Sequence, residues 1–193
     1  MKKTFAIIGL LAFAVSCKNV KKENQEIISE AENQIEQITE TIVGKTLTVP
    51  LEAKSGSEVS GTAEFTEKDG KVTLVVHVHG LTPGEHAIHL HEKADCSSDD
   101  GTSTGGHWNP TFEPHGKWGA AEGFHRGDIG NLVADENGHA QLEFSTDLWC
   151  IGCDDDTKNI IGKAVIIHTS ADDFVTQPTG NAGGRISCGG IIE

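Results

Sequence analysis

Residues 84–91 read GEHAIHLH, residues 105–110 read GGHWNP, residues 114–116 read PHG and residues 124–128 read FHRGD. These four segments hold six of the ten histidines of the chain. Neutral imidazole is the commonest protein ligand for zinc and copper, and a carboxylate such as that of Asp128 readily completes a zinc site. Because solvated loops do not usually concentrate histidine in this way, the stretch predicts a site that holds two metal ions.

The spacing of the histidines indicates how they would come together. His89 and His91 are separated by one residue, so on a strand both side chains point to the same face and can bind one ion. A glycine-rich loop that follows can fold back over that strand, and His168 ends a separate apolar strand. An imidazole has two nitrogen atoms, so one shared histidine would let seven ligands fill the positions of two four-coordinate sites. The candidate ligands are His89, His91, His107, His115, His125, Asp128 and His168.

The composition limits both the fold and the class of partner. The chain has 193 residues, 23 glycines, 5% aromatic residues and no tyrosine, which favours short strands joined by tight turns over a helical bundle. One domain with some appended sequence is expected at this length. The formal net charge of -14 argues against a surface that binds nucleic acid.

Alternation of apolar and polar residues predicts a domain of strands over residues 45–193. About eight strands and two long loops predict an all-β fold, namely an eight-stranded Greek-key β-barrel or sandwich. Residues 135–138 read DENG, which is a strong hairpin signal. The expected strands cover residues 46–53, 59–67, 72–78, a segment that ends at 91, and residues 129–134, 140–145, 160–168 and 184–192.

The residues before the domain have the features of an export signal and a tether. Two lysines precede an apolar run at residues 5–15 that is too short to span a bilayer, so residues 1–16 are expected to be a lipoprotein signal peptide. Cys17 follows small residues as in a bacterial lipobox, which predicts lipidation, and a simple secretory signal with an incidental Cys17 is the alternative. Residues 17–44 predict a polar, partly helical tether. The expected location is a membrane surface that faces the periplasm or the cell exterior.

The order and spacing of the motifs over residues 45–193 resemble those of copper/zinc superoxide dismutases. The resemblance implies that Cys96 and Cys188 form the intrasubunit disulfide of the family. It also implies that Asp172 links a copper ligand to a zinc ligand, and that Arg185 guides an anionic substrate. The ligand sets that it implies are His89, His91, His107 and His168 for copper, and His107, His115, His125 and Asp128 for zinc.

The activity implied by the resemblance is the dismutation of superoxide as an antioxidant defence outside the cytoplasm. Superoxide would reduce a histidine-bound copper and leave as dioxygen, and a second superoxide would reoxidise the copper and leave as hydrogen peroxide. By resemblance, His107 bridges the metals and passes a proton to the peroxide, while zinc is structural. The main alternative is a copper/zinc-binding module without catalysis, which would tolerate loss of Arg185 and His107. A cupin-type oxygenase is disfavoured because it needs no second cluster.

Two features depart from the family pattern. Cys150 and Cys153 form a Cys-x-x-Cys motif that favours a local disulfide over a thioredoxin-like redox pair or an auxiliary metal clip. The loop at residues 174–179 carries no charge, so attraction of an anion is expected to depend on Arg185, with Lys93 or Lys117 as candidate contributors. This predicts a slower and less salt-sensitive enzyme than charge-rich relatives. Related enzymes occur as dimers and as monomers, which leaves a homodimer open.

The remaining histidines are not expected to bind the two metals. His86 lies on the opposite face of its strand from the candidate ligands and is interpreted as a structural histidine. His77, His79 and His139 are interpreted as surface residues.

Overall fold

The computed structural model describes Gln25, residues 27–35 and residues 44–193. The chain divides into one unit at Met1–Ile42 and a second unit at Val43–Glu193. In the first unit, residues 27–35 are helical. Among the described residues, no helix combines the length and the apolar character that crossing a membrane requires. The expected signal peptide, the lipidated cysteine and much of the tether lie outside the described residues, so they stay predictions.

Residues 44–193 contain eight strands and one short 3₁₀ helix at Thr102–Thr104. Most expected strand bounds agree with the observed ones to within one or two residues. The strands are β1 Lys45–Ala53, β2 Ser60–Lys68, β3 Lys71–His79, β4 Gly84–His91, β5 Asp128–Ala134, β6 Ala140–Thr146, β7 Ala164–His168 and β8 Arg185–Gly190.

The strands form one antiparallel sheet with the order β5-β4-β7-β8-β1-β2-β3-β6. Strands β5 and β6 end this order and also contact each other, so the sheet curls into a nearly closed barrel. Neighbours such as β4 and β7, or β1 and β8, are distant in sequence, as in a Greek-key connection. The prediction of an all-β Greek-key barrel is confirmed.

The core occupies the inside of the barrel and follows the alternation seen in the sequence. Phe65 and Trp149 are among the largest fully buried side chains, with ring centroids 6.2 Å apart. Burial of one large apolar side chain stabilises a fold by roughly 1.5–3 kcal/mol. Along β3 the buried side chains are Val72, Leu74, Val76 and Val78, whereas His77 and His79 are exposed.

Two details differ from the expectation. The strand predicted at residues 160–168 begins only at Ala164, because Ile160 donates its N–H to the Cys150 carbonyl oxygen at 3.0 Å rather than to a strand of the sheet. The turn at residues 135–138 forms, with the Gly138 N–H bonded to the carbonyl of Asp135 at 3.0 Å. However, β5 pairs with β4 and β6 pairs with β3, so this turn joins the two edges of the sheet instead of closing a hairpin ladder.

Candidate metal centre

Strand β4 and its two neighbours position the candidate ligands. β4 pairs with β5 on one side and with β7 on the other, which brings Asp128 and His168 close to the histidines of β4. His91 forms an isolated bridge with His107, so the loop after β4 folds back over this strand. The register shifts immediately before His89 and again before His168, and such irregularities change the direction in which a side chain points.

The first group of ligands, named here the four-histidine cluster, consists entirely of buried imidazoles. Their candidate ligand atoms lie within 4.8 Å of one another. In the described structure, one buried nitrogen of each ring has no hydrogen-bond partner. A buried polar atom left unpaired costs about 1–3 kcal/mol, which a bound metal ion would offset. The four nitrogens are His89 Nδ1, His91 Nε2, His107 Nε2 and His168 Nε2.

The second group, named the Asp128 cluster, adds a carboxylate to His107, His115 and His125. The Asp128 oxygens lie 2.9, 3.0 and 3.2 Å from the Nδ1 atoms of these three histidines. A tetrahedral zinc ion with bonds of about 2.0 Å separates its ligands by about 3.3 Å. The Nδ1 atoms of His115 and His125 lack hydrogen-bonding geometry despite these short distances, as expected for atoms that face a shared ion.

His107 belongs to both clusters. Its Nδ1 lies 2.9 Å from Asp128 Oδ1, while its Nε2 is buried among the four histidines without a partner in the described structure. Its ring centroid is 3.9 Å from that of His89. The two nitrogens of one imidazole therefore face two different ligand sets, which is the arrangement that a bridge between two metal ions requires.

A buried carboxylate outside the ligand sets joins the two clusters. Asp172 accepts hydrogen bonds from His89 Nε2 at 2.8 Å and from His115 Nε2 at 2.9 Å. A neutral imidazole carries one N–H, so donation from Nε2 leaves the lone pair of Nδ1 available in both rings. Asp172 is itself held through its backbone by the side-chain amide of Asn131 on β5.

Backbone carbonyls orient two further rings. His91 Nδ1 donates to the carbonyl of Gly105 at 3.0 Å, and His168 Nδ1 donates to that of Gly183 at 3.4 Å. Both bonds leave the Nε2 lone pairs directed into the four-histidine cluster. The nitrogen that each ring offers is thus set by the bond that its other nitrogen makes.

Arg185 connects β8 to the loop that covers β4. Its guanidinium donates to the carbonyl of Gly101 at 2.7 Å, to Thr104 Oγ1 at 2.9 Å and to the carbonyl of Gly105 at 2.8 Å. The Gly105 carbonyl also accepts the bond from His91, so a single loop residue couples the arginine to a candidate ligand.

With this geometry established, the comparisons with known proteins decide the family. Residues 59–191 match the family model of copper/zinc superoxide dismutase (SODC). The chain belongs to the copper/zinc superoxide dismutase family. All seven ligands that the resemblance implied are residues that the structure brings together in the two clusters.

Solved structures of related proteins share this fold. A double mutant of a SOD-like protein from Bacillus subtilis is 34% identical with a TM-score of 0.68, and the match covers 76% of this chain and 97% of that one. The clock protein EA4 is 36% identical with a TM-score of 0.66, over 78% of this chain and 96% of that one. An unmutated SOD-like protein from Bacillus subtilis is 32% identical with a TM-score of 0.67, over 75% and 97% of the two chains.

In this member of the dismutase family, burial favours the neutral form of His91, His107 and His168. Burial lowers the pKa of His107 to about 4, although Asp128 opposes the shift. Burial, followed by the charge of His89, lowers the pKa of His168 to about 3. Burial and the charge of His107 also lower the pKa of His91 well below its ordinary value. Neutral rings at pH 7 are the forms that bind a metal ion.

The Asp128 cluster has the opposite electrostatic character. Burial disfavours charge on His115, but the nearby carboxylates of Asp128 and Asp172 outweigh burial and raise the pKa of His115 to about 9. Burial also opposes ionisation of both carboxyls, yet hydrogen bonds from the histidines keep the pKa of each well below its usual range. Two carboxylates are therefore ionised in the interior, where they favour a cation.

Two disulfides are present among the described residues. Cys96 pairs with Cys188, as the resemblance implied, and joins the loop after β4 to β8 across a sequence separation of 92 residues. Closing a loop of this length contributes about 4 kcal/mol in a chain-entropy model. Cys150 pairs with Cys153, which is the local disulfide that the sequence favoured over a redox pair or a metal clip.

Two supporting residues were missed by the sequence reasoning. Gln177 binds both backbone polar groups of His115. Its Oε1 accepts a hydrogen bond from the His115 N–H at 2.9 Å, and its Nε2 donates one to the His115 carbonyl at 2.8 Å. Gly180 has a φ of 66°, and a Cβ at this position would overlap Asp172 Oδ1. The glycine was the readable signal, since a backbone with positive φ and a close approach both favour this residue.

The histidines outside the ligand sets lie where the sequence placed them. His86 is buried, with Nδ1 2.8 Å from the carbonyl oxygen of His168 and Nε2 2.8 Å from that of Thr82. It thus supports the end of β7 as a structural residue. His77, His79 and His139 are exposed.

Proposed function

We propose that this chain is a copper/zinc superoxide dismutase that converts superoxide into dioxygen and hydrogen peroxide. The observation that carries the proposal is the shared imidazole of His107, whose two nitrogens face an all-histidine set and a carboxylate-containing set. A module that merely stores metal ions does not need two sites coupled through one ring.

The donor atoms fit copper in the four-histidine cluster and zinc in the Asp128 cluster. Imidazole nitrogens suit copper in either oxidation state, whereas three imidazoles and a carboxylate suit tetrahedral zinc. When bound, copper would supply the one-electron couple that superoxide alternately reduces and reoxidises. The unpartnered nitrogens of the four buried histidines would hold it.

Arg185 is the residue proposed to receive the anionic substrate. It is only partly buried, and its hydrogen bonds to Gly101, Thr104 and Gly105 fix the guanidinium beside the loop that carries the Gly105–His91 contact. Burial lowers the pKa of Arg185 from its ordinary value, but the guanidinium of arginine stays charged in proteins. A positive charge held in place offsets part of the repulsion that a net charge of -14 exerts on superoxide.

His107 Nε2 is the atom proposed to deliver a proton to the nascent peroxide. This nitrogen lies within the four-histidine cluster and has no other hydrogen-bond partner in the described structure. Nδ1 of the same ring lies 2.9 Å from Asp128 Oδ1 and would be occupied by the ion of the Asp128 cluster, so Nε2 is the nitrogen left to take up a proton from solvent and give it to the peroxide.

A related structure carries two introduced histidines at the spacing of His91 and His107. In the Bacillus subtilis double mutant, a tyrosine and a proline are each replaced by histidine. The two replaced positions are as far apart in that sequence as His91 and His107 are in this one. The present chain carries both histidines without mutation.

A copper/zinc-binding module without catalysis is the second candidate. The observation that favours it is the uncharged loop at residues 174–179 together with the net charge of -14, because both weaken attraction of an anion. This candidate predicts tight binding of both metals without turnover.

Superoxide consumption by the chain loaded with copper and zinc separates the two candidates. The dismutase proposal predicts copper-dependent loss of superoxide that disappears in His168→Ala, which removes one ligand of the four-histidine cluster. Stoichiometric binding of both metals without superoxide loss would reject the enzyme and favour the binding module. Metal analysis of the same samples separates loss of chemistry from loss of metal.

Export and lipid anchoring complete the proposal. The proposed mature chain begins at a lipidated Cys17 and places the domain on a membrane, facing the periplasm or the cell surface. Cys17→Ser is expected to release the protein from the membrane fraction of a bacterial host without changing its metal content. Unchanged membrane association of the variant would reject the anchor.

A further inference from the structure

Three histidines outside the proposed reaction lie together on the outer surface of the barrel. His77 and His79 are exposed on β3, and His139 is exposed immediately before β6. All three line one groove with a volume of about 750 Å³. The side chains of Ser60 and Thr62 on β2 line the same groove.

The strand register explains why these residues converge. Val78 on β3 is the Cα partner of Ala140 on β6, so the next positions along the two antiparallel strands are His79 and His139. His77 and His79 are two residues apart on one strand, so their side chains share a face. Directly opposed residues of such a pair have Cβ atoms about 4.5–5.5 Å apart. His79 and His139 thus lie one position beyond the last pair of this ladder, and the three imidazoles line one groove.

The outer groove uses the same local design as the buried four-histidine cluster. In that cluster, His89 and His91 occupy alternate positions of one strand, and a neighbouring element supplies further imidazole. In the groove, β3 supplies the alternate pair and the start of β6 supplies the third ring. The two sites differ in burial rather than in ligand type.

Exposure gives the groove histidines a freedom that the buried ligands lack. Among the described residues, the groups of three or more candidate ligands whose atoms lie within 4.8 Å of one another are the two buried clusters. The three histidine rings of the groove must therefore rotate before all of them can bind one ion. Exposed side chains change rotamer within picoseconds to nanoseconds, so this rotation is no kinetic obstacle. The hydroxyl of Ser60 lies 2.9 Å from His79 Nε2 and orients one ring of the three.

We propose that the outer groove is an accessory site for one Cu(II) ion, bound by His77, His79 and His139. Imidazole suits copper, and among divalent first-row metals a given site of nitrogen and oxygen ligands binds Cu(II) most tightly. The net charge of -14 further favours a cation at the surface. The site goes beyond the proposed dismutase activity, because it holds copper in contact with solvent and does not depend on turnover in the buried centre.

Equilibrium dialysis of the full chain, with copper and zinc already in the buried clusters, tests the proposal. Glycine in the dialysis buffer serves as a weak competitor that removes loosely held Cu(II). The expected result is one additional copper ion per chain, with nitrogen hyperfine splitting in the difference electron paramagnetic resonance spectrum. Circular dichroism verifies the fold of each variant.

The variants assign the ion to the groove. His77→Ala combined with His79→Ala is expected to abolish the additional copper, and His139→Ala alone is expected to weaken it. Glu143→Gln is the matched control, because Glu143 is exposed on the same face of β6 but does not line the groove; it should keep the ion. Absence of an additional ion in the unaltered chain would overturn the proposal. Retention of the ion by the double variant would overturn it as well, since copper would then be bound elsewhere.

Discussion

The four-histidine cluster and the Asp128 cluster share a ligand but differ in charge. The first consists of buried imidazoles, and burial lowers the pKa of three of them, with that of His168 lowered to about 3. The second contains an ionised carboxylate, and its neighbour His115 has a pKa raised to about 9. A neutral set suits an ion whose charge changes, whereas a carboxylate favours an ion of fixed positive charge. Burial in one cluster and the carboxylates of Asp128 and Asp172 in the other thus give adjacent sites different electrostatics.

The two clusters also differ in what supports them. His89 and His91 lie on β4 and His168 lies on β7, so the barrel itself positions three of the four histidines. His115 and His125 lie in a loop and depend on contacts such as those from Asp172 and Gln177. Changes in the loops are therefore expected to affect the Asp128 cluster more than the four-histidine cluster.

The largest expected effect comes from removing one ligand from each cluster in separate variants. His91→Ala should abolish superoxide consumption and copper binding while zinc is retained, because it belongs to the four-histidine cluster alone. His125→Ala should release zinc but leave copper bound, because it belongs to the Asp128 cluster alone. Metal analysis after dialysis measures both. Loss of both metals in either variant would show that the clusters do not bind independently.

Asp172→Asn is expected to affect both clusters at once. The carboxylate accepts bonds from His89 and His115, so the amide disturbs the tautomer of a ligand in each set. Loss of an outer hydrogen-bond partner typically lowers metal affinity about 10–100-fold. Competition with chelators measures the two affinities, and Asp173→Asn, an exposed neighbour, is the control. A loss of affinity for one metal alone would contradict the argument that Asp172 orients a ligand of each cluster.

The stability of the metal-free chain is expected to have a pH optimum near neutrality. The pKa values of His107 and His168 are lowered to about 4 and 3, so the unfolded state takes up protons first and stability falls as the pH drops from about 6.5. The pKa of His115 is raised to about 9, so its contribution is present below about 6.5 and is lost as the pH rises through 9. Urea unfolding across this range measures the effect. A flat profile would contradict the burial argument.

Gln177→Ala is expected to weaken zinc binding by a smaller factor. The variant removes two hydrogen bonds to the backbone of His115, each with a net contribution of about 0.5–1.5 kcal/mol. Copper affinity should stay unchanged, because the nearest supports of the four-histidine cluster are the strands. Thr179→Ala, an exposed residue of the same loop, is the control. An equal loss of copper affinity would contradict the argument that loop contacts support the Asp128 cluster more than the four-histidine cluster.

The smallest expected effect concerns salt. With no charge at residues 174–179, the rate of superoxide consumption should fall only weakly as ionic strength rises. Thr179→Lys should increase both the rate at low salt and its salt dependence. Stopped-flow or pulse-radiolysis rates at several salt concentrations provide the measurement. A steep fall in the unaltered chain would show that another cationic group attracts the anion.

The fold class and the types of the candidate ligands could be predicted from residue patterns alone. Alternation of apolar and polar residues, as along β3, indicates a strand from the local sequence alone. The capacity of imidazole to bind a metal ion likewise belongs to the residue itself. The seven candidate ligands were predicted from their motifs and the family resemblance. The assignment of residues 160–163 to a strand was wrong. An apolar run has the same sequence pattern whether its backbone hydrogen bonds join a sheet or, as for Ile160, a loop.

Residue patterns do not reveal which nitrogen of each ring faces a candidate metal site or which groups orient that ring, because these contacts form only in the folded barrel. The bonds from His89 and His115 to Asp172 span 83 and 57 residues, and the bonds from Gln177 to His115 span 62. Contacts of this length leave no local periodicity in a sequence. The same reason applies to the outer groove, where His79 and His139 become neighbours only through the pairing of β3 with β6. The chemistry of an imidazole belongs to the residue itself. The hydrogen-bond partner that orients the imidazole comes from a distant part of the chain, which the folded barrel brings close.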